Sequence, residues 1–161
     1  MLTINECAAD AFFMTGEEEA KSDYRHFFAS SIDTYMKNGM EYTIAINKNC
    51  IVRPYRDNYY FYVILFQQPN THNVINIKQV LIASEYDSVV INAPYVPDRN
   101  VGLKFINDAF EYSYDPGKVN RVILRAESHL LIRFISTQNK YYDFYATPDF
   151  IECAQKVARW S

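Results

Sequence analysis

Residues 59–66 read Tyr59-Tyr60-Phe61-Tyr62-Val63-Ile64-Leu65-Phe66. A strand with one wet face alternates apolar with polar residues. This stretch is apolar or aromatic at every position, so it belongs at the centre of a sheet covered on both sides. Upstream, Met40, Tyr42, Ile44 and Ile46 alternate with Glu41, Thr43 and Ala45, the pattern of a half-buried strand. The polar run Asn47-Lys48-Asn49 reads as a turn into a second strand, 50–55, paired with the first as a hairpin. Downstream, 74–83 and 88–93 read as further strands, and 103–114 fits either a strand or a helix on Leu103, Ile106, Phe110 and Tyr114.

In Asp115-Pro116-Gly117-Lys118, proline at the second position and glycine at the third predict a type II turn. Strands over 119–126, 129–136 and 140–145 follow, the last after the turn Thr137-Gln138-Asn139. Thr147-Pro148-Asp149 then combines an N-cap, a proline at N1 and an acid in the first turn. It predicts a C-terminal amphipathic helix with Phe150, Cys153, Ala154, Val157 and Trp160 on one face. Before the sheet, 3–14 and 15–39 read as helices. Thr15 and Glu18 have capping-box spacing, and Tyr24, Phe27, Phe28, Ser31, Ile32, Tyr35 and Met36 recur at helical intervals up to a C′ glycine at Gly39.

Together these elements predict one α+β domain over 1–161: helices over 1–39, a β meander over 40–146 and a closing helix over 147–161. The sheet is mostly antiparallel, seven to nine strands, strongly bent or curled into a partly open barrel. A β meander followed by one C-terminal helix is similar in order to pleckstrin-homology-like barrels, although here Trp160 stands at the very end of its helix. That likeness is one of topology.

Composition narrows the function classes. Of 161 residues 22% are charged, and the formal net charge is −3, which gives no general attraction to nucleic acid or anionic lipid. The four glycines, Gly16, Gly39, Gly102 and Gly117, stand too far apart for a phosphate-cradling loop. Cys7, Cys50 and Cys153 are odd in number and widely spaced, which speaks against a disulfide framework and for a reducing, cytoplasmic setting. The N-terminus lacks a basic and apolar leader, and no apolar run spans a bilayer, so neither secretion nor membrane insertion is expected.

Catalytic motifs are not apparent. His26, His72 and His129 show no metal-ligand spacing, Cys-x2-Cys is missing, and Cys50 and Cys153 fall on core faces, so neither metal nor cofactor is expected. Glu85 and Asp87, with Lys104, sketch a metal-dependent hydrolase site. The plainer reading is a solvated turn, as it is for Asp108, Glu111 and Asp115.

The arginines are better organised. On paired strands, Arg121, Arg125 and Arg133 share an outer face with Ile123 and Leu131, a mixture found where proteins dock. The plainer alternative is that a helix covers these aliphatics while the arginines pair with Glu127 or other acids. A second cluster gathers Tyr55, Arg56, Tyr59 and Tyr60, with Tyr141, Tyr142 and Tyr145 on the last strand; tyrosines give rigid contact area with a polar tip.

The sequence therefore predicts a non-enzymatic protein–protein interaction module acting by steric occlusion, of the inhibitor, immunity-type or viral or phage accessory kind. Its expected surface is Arg121, Arg125, Arg133, Tyr55, Arg56, Tyr59 and Tyr141. A small-ligand or nucleic-acid-binding β-barrel module is the alternative, and the hydrolase is a third.

Overall fold

A computed structural model of the chain describes residues 6–13, 25–51, 59–69, 75–92, 100–101, 105–112 and 116–160. They form two antiparallel sheets and two helices. The larger sheet has strand order β1-β2-β3-β4-β8-β7, from β1 (Glu6–Phe13), β2 (Arg25–Lys37), β3 (Met40–Ile51), β4 (Tyr59–Pro69), β7 (Asn100–Val101) and β8 (Phe105–Tyr112). The smaller has order β10-β9-β5-β6, from β5 (Ile77–Ser84), β6 (Ser88–Asn92), β9 (Leu130–Ser136) and β10 (Tyr141–Tyr145). The helices are α1 (Pro116–Leu124) and α2 (Pro148–Arg159). Among the described residues no sheet closes into a barrel.

The apolar run at 59–66 takes the central place predicted for it, but it is not equally covered on both sides, since Val63 and Leu65 on its other face are only half-buried. β4 is an interior strand between β3 and β8, with Tyr62, Ile64 and Phe66 fully buried. Those three join Tyr42, Ile44 and Ile46 of β3 in one buried cluster with the inner residues of the smaller sheet and of both helices. Phe66 meets Phe134 at 4.9 Å between ring centroids, and Tyr42 meets Tyr142 edge-on at 6.1 Å. α1 packs against β4, β5, β6 and α2, and α2 packs against β1, β2 and β3, so one apolar cluster joins both sheets and both helices. The N-cap of α2 forms as its sequence predicts, with Thr147 Oγ1 accepting the Phe150 amide at 3.2 Å.

Four expectations are corrected. Residues 25–37 are a strand and not a helix. Asn38 and Gly39 both have positive φ, 52° and 78°, and Lys37 pairs with Met40 across them, so they form a two-residue hairpin turn and not a helix C-cap. The segment Glu6–Phe13, read as helical, pairs with β2, while the capping-box residues at 15–18 lie outside the described residues. Asn47-Lys48-Asn49 is not a turn, because β3 runs through it in unbroken register with β2 and β4. Finally, 119–126 is not a strand. Val119, Val122, Ile123 and Ala126 are the buried residues, the spacing of a helix face, and Pro116 opens that helix instead of a type II turn. The ambiguous stretch 103–114 contains strand β8.

The cysteine reading also changes. Cys50 is a free thiol buried on β3, whereas Cys153 on α2 is disulfide-bonded. Cys7, the remaining cysteine, lies in β1, one of the strands against which α2 packs. No described helix is long and apolar enough to cross a membrane.

Candidate functional site

Alternation on the four strands of the smaller sheet sends one set of side chains into the core and the other outward. The inward set is Tyr142 and Phe144, Leu130, Ile132 and Phe134, Val80 and Ile82, and Val89 and Ile91. The strand registers arrange the outward set in three cross-strand rows. Tyr141, Ile135, Gln79 and Asn92 form one row; Asp143, Arg133, Leu81 and Val90 the next; Tyr145, Leu131, Ala83 and Ser88 the last. Tyr145 is 70% exposed, and Tyr141 and Val90 are each 51% exposed.

The polar members of this face satisfy one another. Arg133 Nε donates to Asp143 Oδ1 at 2.7 Å and its Nη2 donates to Oδ2 at 3.0 Å, a two-pronged pair between directly opposed residues. The same guanidinium lies 4.5 Å from the Tyr141 ring centroid. Two strands away, Gln79 Nε2 donates to Asn92 Oδ1 at 2.6 Å. The face is thus a Tyr, Leu, Ile and Val surface whose one ion pair is internally neutralised. At its edge, Lys37 of β2 donates to the Tyr141 carbonyl at 2.6 Å and stands 4.4 Å from the Tyr142 ring centroid, which blunts the open side of β10.

A second cluster sits at the β5–β6 turn. Glu85 accepts backbone amides from Glu127, Ser128 and His129 at 3.0 to 3.3 Å. The Ser128 amide leads these bonds in holding the Glu85 carboxyl below its ordinary pKa. At Asp87, burial works upward. The Arg121 hydrogen bond, the Ser88 amide and the charges of Arg121 and Arg125 outweigh it and keep the acid ionised. Both carboxylates therefore lock the turn to α1 and to the start of β9. Among the described residues no group of three metal-ligating side chains is arranged around an ion.

A third cluster is buried. Lys48 is 4% exposed and donates from Nζ to the Ala158 carbonyl at 2.7 Å, near the C-terminus of α2, where the helix dipole favours a cation. The Tyr60 and Tyr62 rings lie 5.5 and 5.7 Å from it, and Tyr62 donates its hydroxyl to Asn120 Oδ1. Burial lowers the Lys48 pKa and raises that of Tyr62. These groups join β3 and β4 to both helices.

The structure divides the sequence-predicted surface. Arg133 and Tyr141 lie together on the outer face, with Leu131 beside them. Arg121 and Arg125 do not join them, because Arg121 stands on α1 and Arg125 just past its end, both beside the β5–β6 turn, where they pair with Asp87. Ile123, assigned to that face, is fully buried. Tyr55 and Arg56 lie outside the described residues, as does Lys104, and Tyr59 opens β4. Comparison with protein-family models, curated proteins and solved structures finds no match. The face also takes in Tyr145 of the predicted aromatic cluster and residues that sequence reasoning passed over: Leu81, Val90, Ile135 and Asp143. The strand alternation at 88–93 and 129–136 carried the signal for Val90 and Ile135, once β9 is paired with β5 and not with 119–126.

Proposed function

We propose that this chain is a non-enzymatic binding module that engages a protein partner through the outer face of the β10-β9-β5-β6 sheet and acts by steric occlusion. One observation carries the reading: the solvent side of this sheet holds Tyr141, Tyr145, Leu81, Leu131, Ile135 and Val90 where a merely solvated face is polar. Tyrosines flanking a guanidinium are the residue types that dominate the energy of protein interfaces. Regulatory or inhibitory proteins that work by covering a partner need no more chemistry than this. Charge favours the same reading over nucleic acid, since the chain carries −3 and the arginine of this face is already bound to an aspartate.

The test is affinity capture of the partner from native lysate, with and without nuclease, by wild-type chain and two variants. Tyr141→Ala removes an exposed aromatic of the face and is expected to weaken capture about tenfold or more, the loss typical of an interface anchor. Arg125→Ala lies at the β5–β6 turn and is expected to leave capture within about twofold. The opposite ranking, or capture abolished by nuclease, would sink the proposal.

A further inference from the structure

The smaller sheet ends in two edge strands, β10 and β6, and its hydrogen-bond ladder fixes which backbone groups each edge turns outward. The Ser136 amide donates to the Lys140 carbonyl and the Ala146 amide to the Leu130 carbonyl, so Phe134 with Tyr142 and Ile132 with Phe144 are the bonded pairs of β9 and β10. Tyr141, Asp143 and Tyr145 therefore turn their backbone groups away from the sheet. On the opposite side the Ser84 amide donates to the Asp87 carbonyl at 2.9 Å. That makes Ile82 with Val89 and Val80 with Ile91 the bonded pairs, and turns Ser88, Val90 and Asn92 outward.

The two edges are treated differently. At β10, Lys37 donates to the Tyr141 carbonyl and the Tyr35 hydroxyl is hydrogen-bonded to the Asp143 backbone. At β6 the Ser88 amide donates to Asp87 Oδ1 at 2.9 Å, but among the described residues nothing meets the Ser88 carbonyl or the backbone groups of Val90 and Asn92. α1 packs against β6 through the buried cluster that holds Val89, Ile91, Val119, Val122 and Ile123, and leaves Val90 51% exposed. The strand itself, Ser88-Val89-Val90-Ile91-Asn92, has no charge and no proline, and its register with β5 is unbroken, so it lacks the devices that usually close an edge.

We infer that the β6 edge is completed by an extended segment of the protein partner, added to the smaller sheet as a fifth strand. The inference rests on the protein-binding reading and states how that partner docks. The open edge offers a donor and an acceptor at Val90 and again at Asn92, about 6.8 Å further along. An anion supplies acceptors alone, and an apolar surface supplies nothing to either group; an extended backbone matches both, in register. Side chains of the added strand continue the rows of the outer face, so that an apolar partner residue opposite Val90 extends the Leu81–Val90 row. Edge and face thus form one site. A second copy joined β6 to β6 would lengthen the sheet and leave Tyr141 and Tyr145 as open as before, whereas a partner that contributes a strand can cover them with the rest of its body.

Val90→Pro tests this, because it deletes an outward amide that takes no part in the β5–β6 ladder. Binding of the captured and purified partner is measured by calorimetry on the full wild-type chain, on Val90→Pro and on Val90→Thr, which keeps the amide and the branched side chain. Val90→Pro is expected to weaken binding about tenfold or more, and Val90→Thr to stay within about threefold of wild type. The Val90 and Asn92 amides are expected to exchange rapidly with solvent in the free chain and to slow about tenfold or more in the complex. Should Val90→Pro not fold, that protection alone decides. Unweakened binding by a folded Val90→Pro, or amides left unprotected in the complex, would overturn strand addition, and the protein-binding reading would still stand if Tyr141→Ala weakens capture. A wild-type chain that captures no protein would overturn both. Amides already protected in the free chain, with a sedimenting mass of two chains, would put a second copy on the edge and overturn the inference.

Discussion

Glu85 shows how a side chain with a faint catalytic reading is better understood as a clamp. Its carboxylate is held by three successive amides at 127–129, which tie the β5–β6 turn to the approach to β9. These bonds favour the ionised form and set the folded-state pKa below the ordinary 4.5. The stability they give is therefore present above that ordinary value and is lost as pH falls through the lower folded value. Glu85→Gln removes the charge and keeps the shape. Its urea midpoint is expected to fall below that of the wild type at neutral pH, with the gap closing in acid below about pH 4. A gap of the same size at both ends would mean that shape, and not charge, holds the turn. Asp87 reads likewise: its pairing with Arg121 and Arg125 accounts for three residues that sequence alone assigned to two different sites.

At the scale of elements, the decisive test is α1. A strand over 119–126 would put Val122 and Leu124 on one face and Ile123 on the other, whereas the helix buries Ile123 fully and leaves Leu124 39% exposed. Ile123→Ala is expected to cost about 2–4 kcal/mol and Leu124→Ala less than about 1 kcal/mol by urea unfolding. Equal losses, or the reverse order, would restore the strand. The misreading has a physical source. Apolar residues at 119, 122, 123 and 126 fit a helix, yet the local run from Arg121 to Arg125 also alternates, and over five residues the two periods are hard to separate. The segment 25–37 erred the other way. Phe27, Phe28, Ile32 and Tyr35 fit helical spacing, and Asn38-Gly39 serves equally as a helix C-cap or as a two-residue hairpin turn. Pairing with β3 decides between them, and pairing is a long-range fact. Strands with clean alternation, the first half of β3, β6, β9 and β10, were legible, as was α2 from its Thr-Pro-Asp start, whereas the polar run Asn47-Lys48-Asn49 disguised the second half of β3 as a turn. The outer face was legible only in part, because Arg133 and Leu131 are adjacent in sequence pattern while Leu81 and Val90 arrive through the order of the sheet.

For the molecule as a whole, the disulfide at Cys153 changes what holds the chain together. Three cysteines suggested a reduced protein held by packing alone, and α2 does pack well, with Phe150, Ala154 and Val157 buried and Phe150 5.0 Å from Phe144. A covalent link at Cys153 adds a constraint on the unfolded chain worth about 2–4 kcal/mol. Cys153 and its partner withdraw two of the three thiols, leaving the buried Cys50. Thiol titration of the purified, unreduced chain is therefore expected to find one reactive thiol, and that one only after unfolding, because Cys50 is 2% exposed. Reductant is expected to lower the urea midpoint without abolishing the folded state, since the core joining both sheets and both helices does not depend on the link. Three reactive thiols in the unreduced chain would mean that packing alone holds α2 in place, as expected of the reducing compartment that cysteine spacing suggests.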